Sequence, residues 1–296
     1  MSMSNHNYLP PIHIHPIVFF FIAVSVLTGM FVDLIIIFFI VFFHEMGHYY
    51  FARKFNWKVK HIYLWIFGGV METEDNGTRS MKEEWIVTIA GPMQHLFLFF
   101  FFYFIGYIGW LPESTINMAM QYNTFILLGN LLPIFPLDGG RMLQLICDSL
   151  FPFHMAHSLT IILSVVSIAA FLVCAFLIGT SSLSLCLLFV FLFWENRLEW
   201  KRRHYRWWKF ILYRNSEASS YKKQSILKVD MDQRIIDIFY QFYRNRYHVI
   251  RVTGNYNRDH PFFITESECI QAFFTKKIHH LTVGDIAKME EEVTYV

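Results

Sequence analysis

Apolar residues run in long unbroken stretches through the first two thirds of the chain and in short alternating ones through the last third. A helix needs about 20 mostly apolar residues to cross a bilayer. Six stretches approach that length: Ile17 to about Val32, Leu34–Ala52, Ile86–Trp110, about Met118 to Leu150, about Leu159 to Ile178, and Leu183–Trp194. The fourth contains Pro133-Ile-Phe-Pro136-Leu-Asp138-Gly-Gly140, which no continuous helix accommodates, so it is read as interrupted. Between the second and third, the segment from Trp57 to Glu74 alternates polar and apolar residues, is rich in β-branched and aromatic side chains, and breaks at Gly68-Gly69. That pattern predicts a β-hairpin, partly inserted in the membrane and shielded at its edge by protein. Lys201–Lys223 is basic and aromatic and reads as an anchor on anionic lipid. From Gln224 the pattern predicts a strand at Ser225–Val229, a helix at Arg234–Arg246, and a strand at His248–Val252 followed by a Gly254-Asn255 turn. A strand at Phe262–Thr265, a helix at Glu266–Lys277 and a closing strand or turn at Thr282–Ile286 complete it. The expected fold class is an α-helical polytopic membrane protein of about six transmembrane helices, one interrupted, with a membrane-associated β-hairpin and a small C-terminal α/β domain. The domains expected are residues 1–200 in the membrane, a linker at 201–223 and the α/β domain at 224–296.

Composition sharpens this. Of the 296 residues 55% are hydrophobic and 16% charged, against about 25% charged in ordinary soluble domains. This argues against one soluble globule and excludes a disordered chain or a charge-driven nucleic-acid binder. The deficit is uneven, because 18 of the 25 Lys and Arg residues follow Glu195. Cytoplasmic loops are enriched in Lys and Arg. Arg53, Lys54, Lys58, Lys60, Arg79 and Lys82 lie between the second and third stretches, and Arg197, Lys201, Arg202, Arg203 and Arg206 after the sixth, while the opposite loops carry none. Six spans with both termini in the cytoplasm fit that distribution. The first sixteen residues do not read as a cleavable signal peptide. Cys147, Cys174, Cys186 and Cys269 show no metal-binding spacing and read as buried free thiols.

The strongest chemical signal is His44-Glu45-Met46-Gly47-His48. Residues four apart share a helix face, so both histidines can reach one metal ion, with Glu45 on the adjoining face beside a water. The motif follows the apolar run Leu34–Phe43, and an ionisable residue at mid-membrane costs at least about 2.5–3.5 kcal/mol, so such residues usually mark function. Zinc with two histidines needs a third protein ligand and an open position. Asp138, in the broken fourth stretch, is the candidate; Asp148 is the rival but reads as a solvated helix end. Gly91-Pro92-Met93-Gln94-His95 reads as a second break, either one where Gly-Pro lets two helices approach closely and Gln94 bonds an extended peptide, or a kink with a packed amide. Asn130, flanking the broken segment, has the same two readings. His13 and His15 read as surface residues at the membrane edge, and His61, His154 and His157 as interfacial. The run Phe97–Phe104 reads as lipid-facing bulk.

These motifs together resemble the site-2 protease family of intramembrane zinc metalloproteases, whose order they follow: His44-Glu45-Met-Gly-His48, Gly91-Pro92-Met-Gln94, then Asn130 through Pro136-Leu-Asp138-Gly-Gly. Ile12-His-Ile-His-Pro16 and Leu131–Gly140 resemble its sporulation branch, which has a six-helix core and a C-terminal cystathionine-β-synthase (CBS) domain. Thr282-Val-Gly-Asp-Ile286 and the strand-helix-strand order of the C-terminal module resemble that domain. The resemblance implies one zinc ion held by His44, His48 and Asp138, with Glu45 as catalytic acid and base. It implies a membrane-associated substrate, the precursor of a late sporulation sigma factor, and membrane proteins that inhibit cleavage until signalled. It also implies ATP at the CBS-like domain. CBS domains work in pairs and one chain holds one, so either two chains pair or the nucleotide site is incomplete. Asn130 and Gln94 are candidates to assist the oxyanion, and the hairpin at Gly68 and Gly69 to receive unwound substrate. Two rival functions are a CBS-gated membrane transporter of metal ions or protons, and a membrane-anchored nucleotide sensor with an inert active site. The first is disfavoured by the scarcity of polar residues in the first, fifth and sixth stretches.

Overall fold

The computed structural model describes residues 12–14, 16–65, 68–73, 79–179, 182–216, 224–253, 262–276 and 282–286. His15, the Gly254-Asn255 turn and residues 217–223 of the expected linker lie outside them. The chain divides into two compact units, one of residues 1–143 and 163–195, the other of 144–162 and 196–296.

In the first unit, α1 (Ile17–Thr28) stops earlier than the apolar run implies, because Gly29 takes the left-handed conformation at φ 74° and caps the helix. α2 (Phe31–Lys54) follows. The hairpin forms from β2 (Val59–Trp65) and β3 (Gly68–Thr73). Trp65 stands opposite Gly68 and Leu64 opposite Gly69, so the glycines open the returning strand rather than making the turn. β1 (Ile12–Ile14) adds in parallel to β2, a strand not among the expected elements, and His13 within it is exposed, in keeping with its expected surface position. The sheet order is β1-β2-β3, which leaves β3 as an edge among the described residues. Ile62 and Met71 of the hairpin bury with Val41, Tyr49 and Ala52 of α2 and Val87 of the next helix.

That helix, α3 (Met81–Tyr107), starts where the Ser80 hydroxyl accepts from the Glu83 N–H. It is continuous through Gly91-Pro92, so the expected second break is absent. A proline costs one backbone bond, and apolar surroundings offer the carbonyls nothing better than helix. Most of the Phe97–Phe104 run is exposed, with Leu98 and Phe102 turned inward. α4 (Glu113–Asn130) and α5 (Asp138–Leu150) flank the expected interruption. The non-helical backbone between them is held against protein at its centre, while Leu131 and Pro133 stay exposed: the Phe135 N–H donates to the Ser164 hydroxyl at 2.8 Å, and Ile134 packs against Ile168, Phe189 and Leu192. Ser164 and Ile168 belong to α6 (Phe153–Ile178), Phe189 and Leu192 to α7 (Leu183–Ser216). Among the described residues, three helices, α2, α3 and α6, are long and apolar enough to cross a membrane. Only 17% of the most apolar window of α6 is buried in protein, so most of it is left for lipid.

The second unit holds a sheet of β4 (Gln224–Asp230), β5 (Tyr247–Thr253) and β6 (Phe262–Thr265), in that order. The β4–β5 pair is parallel and the β5–β6 pair antiparallel. With α8 (Ile235–Phe239) and α9 (Glu266–Lys276) the element order is β-α-β-β-α. The helix expected over Arg234–Arg246 stops after Phe239. Beyond it the backbone carbonyls of Tyr243, Arg244 and Arg246 accept from the buried Arg214 of α7, and that of Phe242 from the Phe153 N–H, instead of from helix N–H groups. Arg214 also pairs with Glu266 at 2.7 Å. Trp207, Phe210, Ile211 and Arg214 form one face of α7, and the three apolar ones enter the core of this unit. Trp207 is therefore packed in protein rather than anchored in lipid. Asp148 is no solvated end: it is fully buried and paired with Arg244 at 3.1 Å. His157 is likewise buried, against Glu199 at 3.1 Å. All four cysteines are free, but Cys174 and Cys186 are exposed rather than buried.

Candidate metal centre

The helical register of α2 brings the two imidazoles together, with His44 Nε2 and His48 Nε2 3.1 Å apart. Asp138, the first residue of α5, reaches both from across the first unit: its Oδ2 lies 3.1 Å from His44 Nε2 and 3.2 Å from His48 Nε2. The broken backbone before α5 makes this possible, since it starts a new helix with a carboxylate inside the protein. The three atoms form a nearly equilateral triangle. A tetrahedral zinc site with bonds of 2.0–2.1 Å has ligand–ligand edges of roughly 3.3 Å, so the triangle matches one face of such a site.

Hydrogen bonding supports the fit. His48 Nδ1 donates to the Val87 carbonyl at 2.7 Å, which leaves Nε2 with a lone pair. Asp138 Oδ2 is buried and makes no hydrogen bond despite its two close nitrogen neighbours. Acceptors crowded around one point without a proton between them are what a cation binds. The residues present therefore fit a zinc ion, with His44, His48 and Asp138 as its holders.

Glu45 also has an oxygen that lies, with one nitrogen of each histidine, in a set spanning no more than 4.8 Å, so proximity alone allows either carboxylate as third ligand. Its surroundings separate the two. A methyl group placed on Gly69 of β3 would come within 2.6 Å of Glu45 Cδ and 2.7 Å of its Oε1. The Glu45 carboxylate thus lies under the edge strand of the hairpin, while Asp138 closes the triangle.

Helix α3 backs the histidine pair with one face. Val87, Gly91 and His95 recur every four residues. Gly91 passes so close that a Cβ there would overlap the His48 ring and approach His44 Cε1 to 2.7 Å. His95 Nε2 lies 3.0 Å from His44 Nδ1, and His95 Nδ1 lies 2.7 Å from Asn123 Oδ1 of α4. His95 and Asn123, both fully buried, are absent from the sequence-based site. Two signals pointed to them: Asn123 is a polar residue inside an apolar helix, and His95 stands one helical repeat from Gly91. Among the other expected residues, Gln94 packs on Gly47 of α2. Asn130 ends α4 half-buried. Among the described residues, no hydrogen bond joins either to the donor triangle. Gly68 pairs with Trp65 beside the strand position of Gly69.

Residues 32–112 match the profile of Peptidase family M50. The chain is 33% identical over 267 residues to the Stage IV sporulation protein FB of Bacillus subtilis, across 90% of this chain and 92% of that protein. It is 34% identical over 119 residues to a zinc metalloprotease of Methanocaldococcus jannaschii, across 38% of this chain and 33% of that protein. Among solved structures, the site-2 protease from Methanocaldococcus jannaschii aligns at 22% identity with a TM-score of 0.48, covering 64% of this chain and 89% of that one.

Proposed function

The chain belongs to the site-2 protease family, M50, as a multi-pass membrane zinc metalloprotease, and from that we propose its reaction and substrate. It hydrolyses a peptide bond in a membrane-associated precursor, with His44, His48 and Asp138 as zinc ligands and Glu45 as acid and base. The observation that carries this reading is the triangle of donor atoms with a second carboxylate beside it, beneath a strand edge.

When bound, zinc supplies Lewis acidity, bringing the pKa of a water to about 7 and stabilising negative charge on a carbonyl oxygen. Glu45 takes the proton from that water and returns it to the leaving amine. Its position under Gly69 puts this transfer beside β3. The β3 edge offers unpaired backbone groups to an extended peptide, so the substrate segment unwinds and adds there as a strand, with Gly68 and Gly69 allowing close approach. Asn130 and Gln94, from α4 and α3, assist the oxyanion once substrate is bound.

The substrate proposed is the precursor of a late sporulation sigma factor, by likeness to the sporulation protein of Bacillus subtilis, with inhibitor proteins in the same membrane. Residues 1–200 form the protease with six spans and both termini in the cytoplasm, joined through 201–223 to a regulatory module at 224–296. The β-α-β-β-α order of that module supports its reading as a CBS domain, pairing with a second chain to take ATP. The experiment is co-expression of the precursor with wild type and Glu45→Gln. Cleavage is expected to stop in the variant while zinc stays bound. Continued cleavage by a zinc-loaded Glu45→Gln chain defeats the proposal. Zinc flux through proteoliposomes that survives the same substitution favours a transporter instead.

A further inference from the structure

We propose that His95 and Asn123 are positioning residues: an uncharged hydrogen-bond relay that fixes the tautomer of His44, so that its Nε2 lone pair faces Asp138 and His48. The inference rests on the metal-centre reading above and concerns how one ligand is prepared for the ion.

The direction of every bond follows from one end. Asn123 Nδ2 donates to the backbone carbonyl of His95 at 3.0 Å. A flipped amide would set oxygen against oxygen there, so the orientation of Asn123 is determined. Its Oδ1 therefore faces His95 Nδ1 at 2.7 Å, and that nitrogen must carry the proton. A neutral His95 then has a bare Nε2, which accepts from His44 Nδ1–H at 3.0 Å. His44 is left with a bare Nε2, 3.1 Å from Asp138 Oδ2. His48 reaches the same tautomer by a shorter route, through the Val87 carbonyl. Both imidazoles thus present lone pairs to one point before any ion arrives.

Metal-bound histidines usually donate to a carboxylate, a carbonyl or water. Here a second imidazole and an amide replace the carboxylate. In an apolar helix layer this avoids burying another charge. It also leaves Asp138 as the one anion in the triangle, so less of the positive charge of the ion is cancelled. His95 and Asn123 are fully buried.

The test uses the full chain in detergent, freed of metal and labelled with 15N in histidine. His44 is expected to be protonated at Nδ1 and bare at Nε2, and Asn123→Ala to give a mixture of both tautomers. Zinc affinity, measured against a competing chelator, should fall about 10–100-fold in His95→Leu. His95→Gln, which returns an acceptor to His44, should recover most of that loss, a rescue that mere filling of space would not give. Thermal unfolding identifies variants that fold; should His95→Leu fail, Asn123→Ala and the wild-type spectrum decide. A wild-type His44 protonated at Nε2, or zinc affinity unchanged in a folded His95→Leu, overturns the relay. A wild type with the expected tautomer that binds no zinc overturns the metal-centre reading and leaves the relay standing.

Discussion

Adding one methyl group at Gly91 tests the closest approach in the site. Gly91 is on α3, and its Cα faces both imidazoles of the α2 motif. In Gly91→Ala the new Cβ overlaps the His48 ring and stands 2.7 Å from His44 Cε1, whereas ordinary contact begins at 3.4 Å. His44 must withdraw by about 0.7 Å and His48 by more, while a working metal site tolerates displacements of only about 0.2 Å. Neither ring moves freely, because His48 is tied to Val87 and His44 to His95 on the same face of α3. The strain of forcing one methyl into a packed contact is about 1–3 kcal/mol, which a membrane helix pair can bear without unfolding. The expected phenotype is therefore a folded protein with a failed site, its zinc affinity at least about 10-fold weaker. Chelator competition on detergent-purified chain measures the affinity, and thermal unfolding shows whether the helices still pack. Wild-type zinc affinity in Gly91→Ala would refute the close approach of α3 to the histidines and the geometry built on it.

Asp138→Ala should lower zinc affinity more than about 100-fold, while Glu45→Gln leaves it near wild type; metal content by mass spectrometry separates the two carboxylates. Gly69→Val places a branched side chain on the Glu45 carboxylate, so precursor cleavage should fall more than about 10-fold with zinc retained. Loss of zinc with it, or unchanged cleavage, contradicts the placement of the hairpin. In the second unit, burial alone would push the Glu199 carboxyl up. The close contact with His157 and the charges of Arg206 and Arg202 outweigh that, so it lies below its ordinary 4.5. A depressed carboxyl stabilises the fold above its unfolded pKa and stops doing so as pH falls through the folded one. Glu199→Gln should thus unfold at a lower temperature than wild type at pH 7, with the difference closing below about pH 4; a gap that widens on acidification contradicts the ion pair.

Local chemistry was legible in the order of residues alone. Four-residue spacing put His44 and His48 on one helix face, because helical geometry follows from backbone bonds alone. Long apolar runs marked the helices, and two prolines with two glycines marked the interruption, since both are properties of a few neighbouring residues. The strands of the C-terminal module were legible for the same reason. Trp207, Phe210, Ile211 and Arg214 also carried a readable helical stripe, but their basic neighbours suggested a lipid surface instead of a protein core. Tertiary structure decided what distant segments do to one another. Nothing near Asp148 in the chain announces Arg244, so its burial and pairing were invisible. The relay from Asn123 through His95 to His44 crosses three helices, and its directions exist only once the rings and the amide meet. The different positions of Asp138 and Glu45 relative to the two histidines are likewise a matter of packing. Glu45 is next to His44 in the chain, yet Gly69 of the hairpin lies over its carboxylate, while the helix that restarts at Asp138 delivers its oxygen between the two nitrogens.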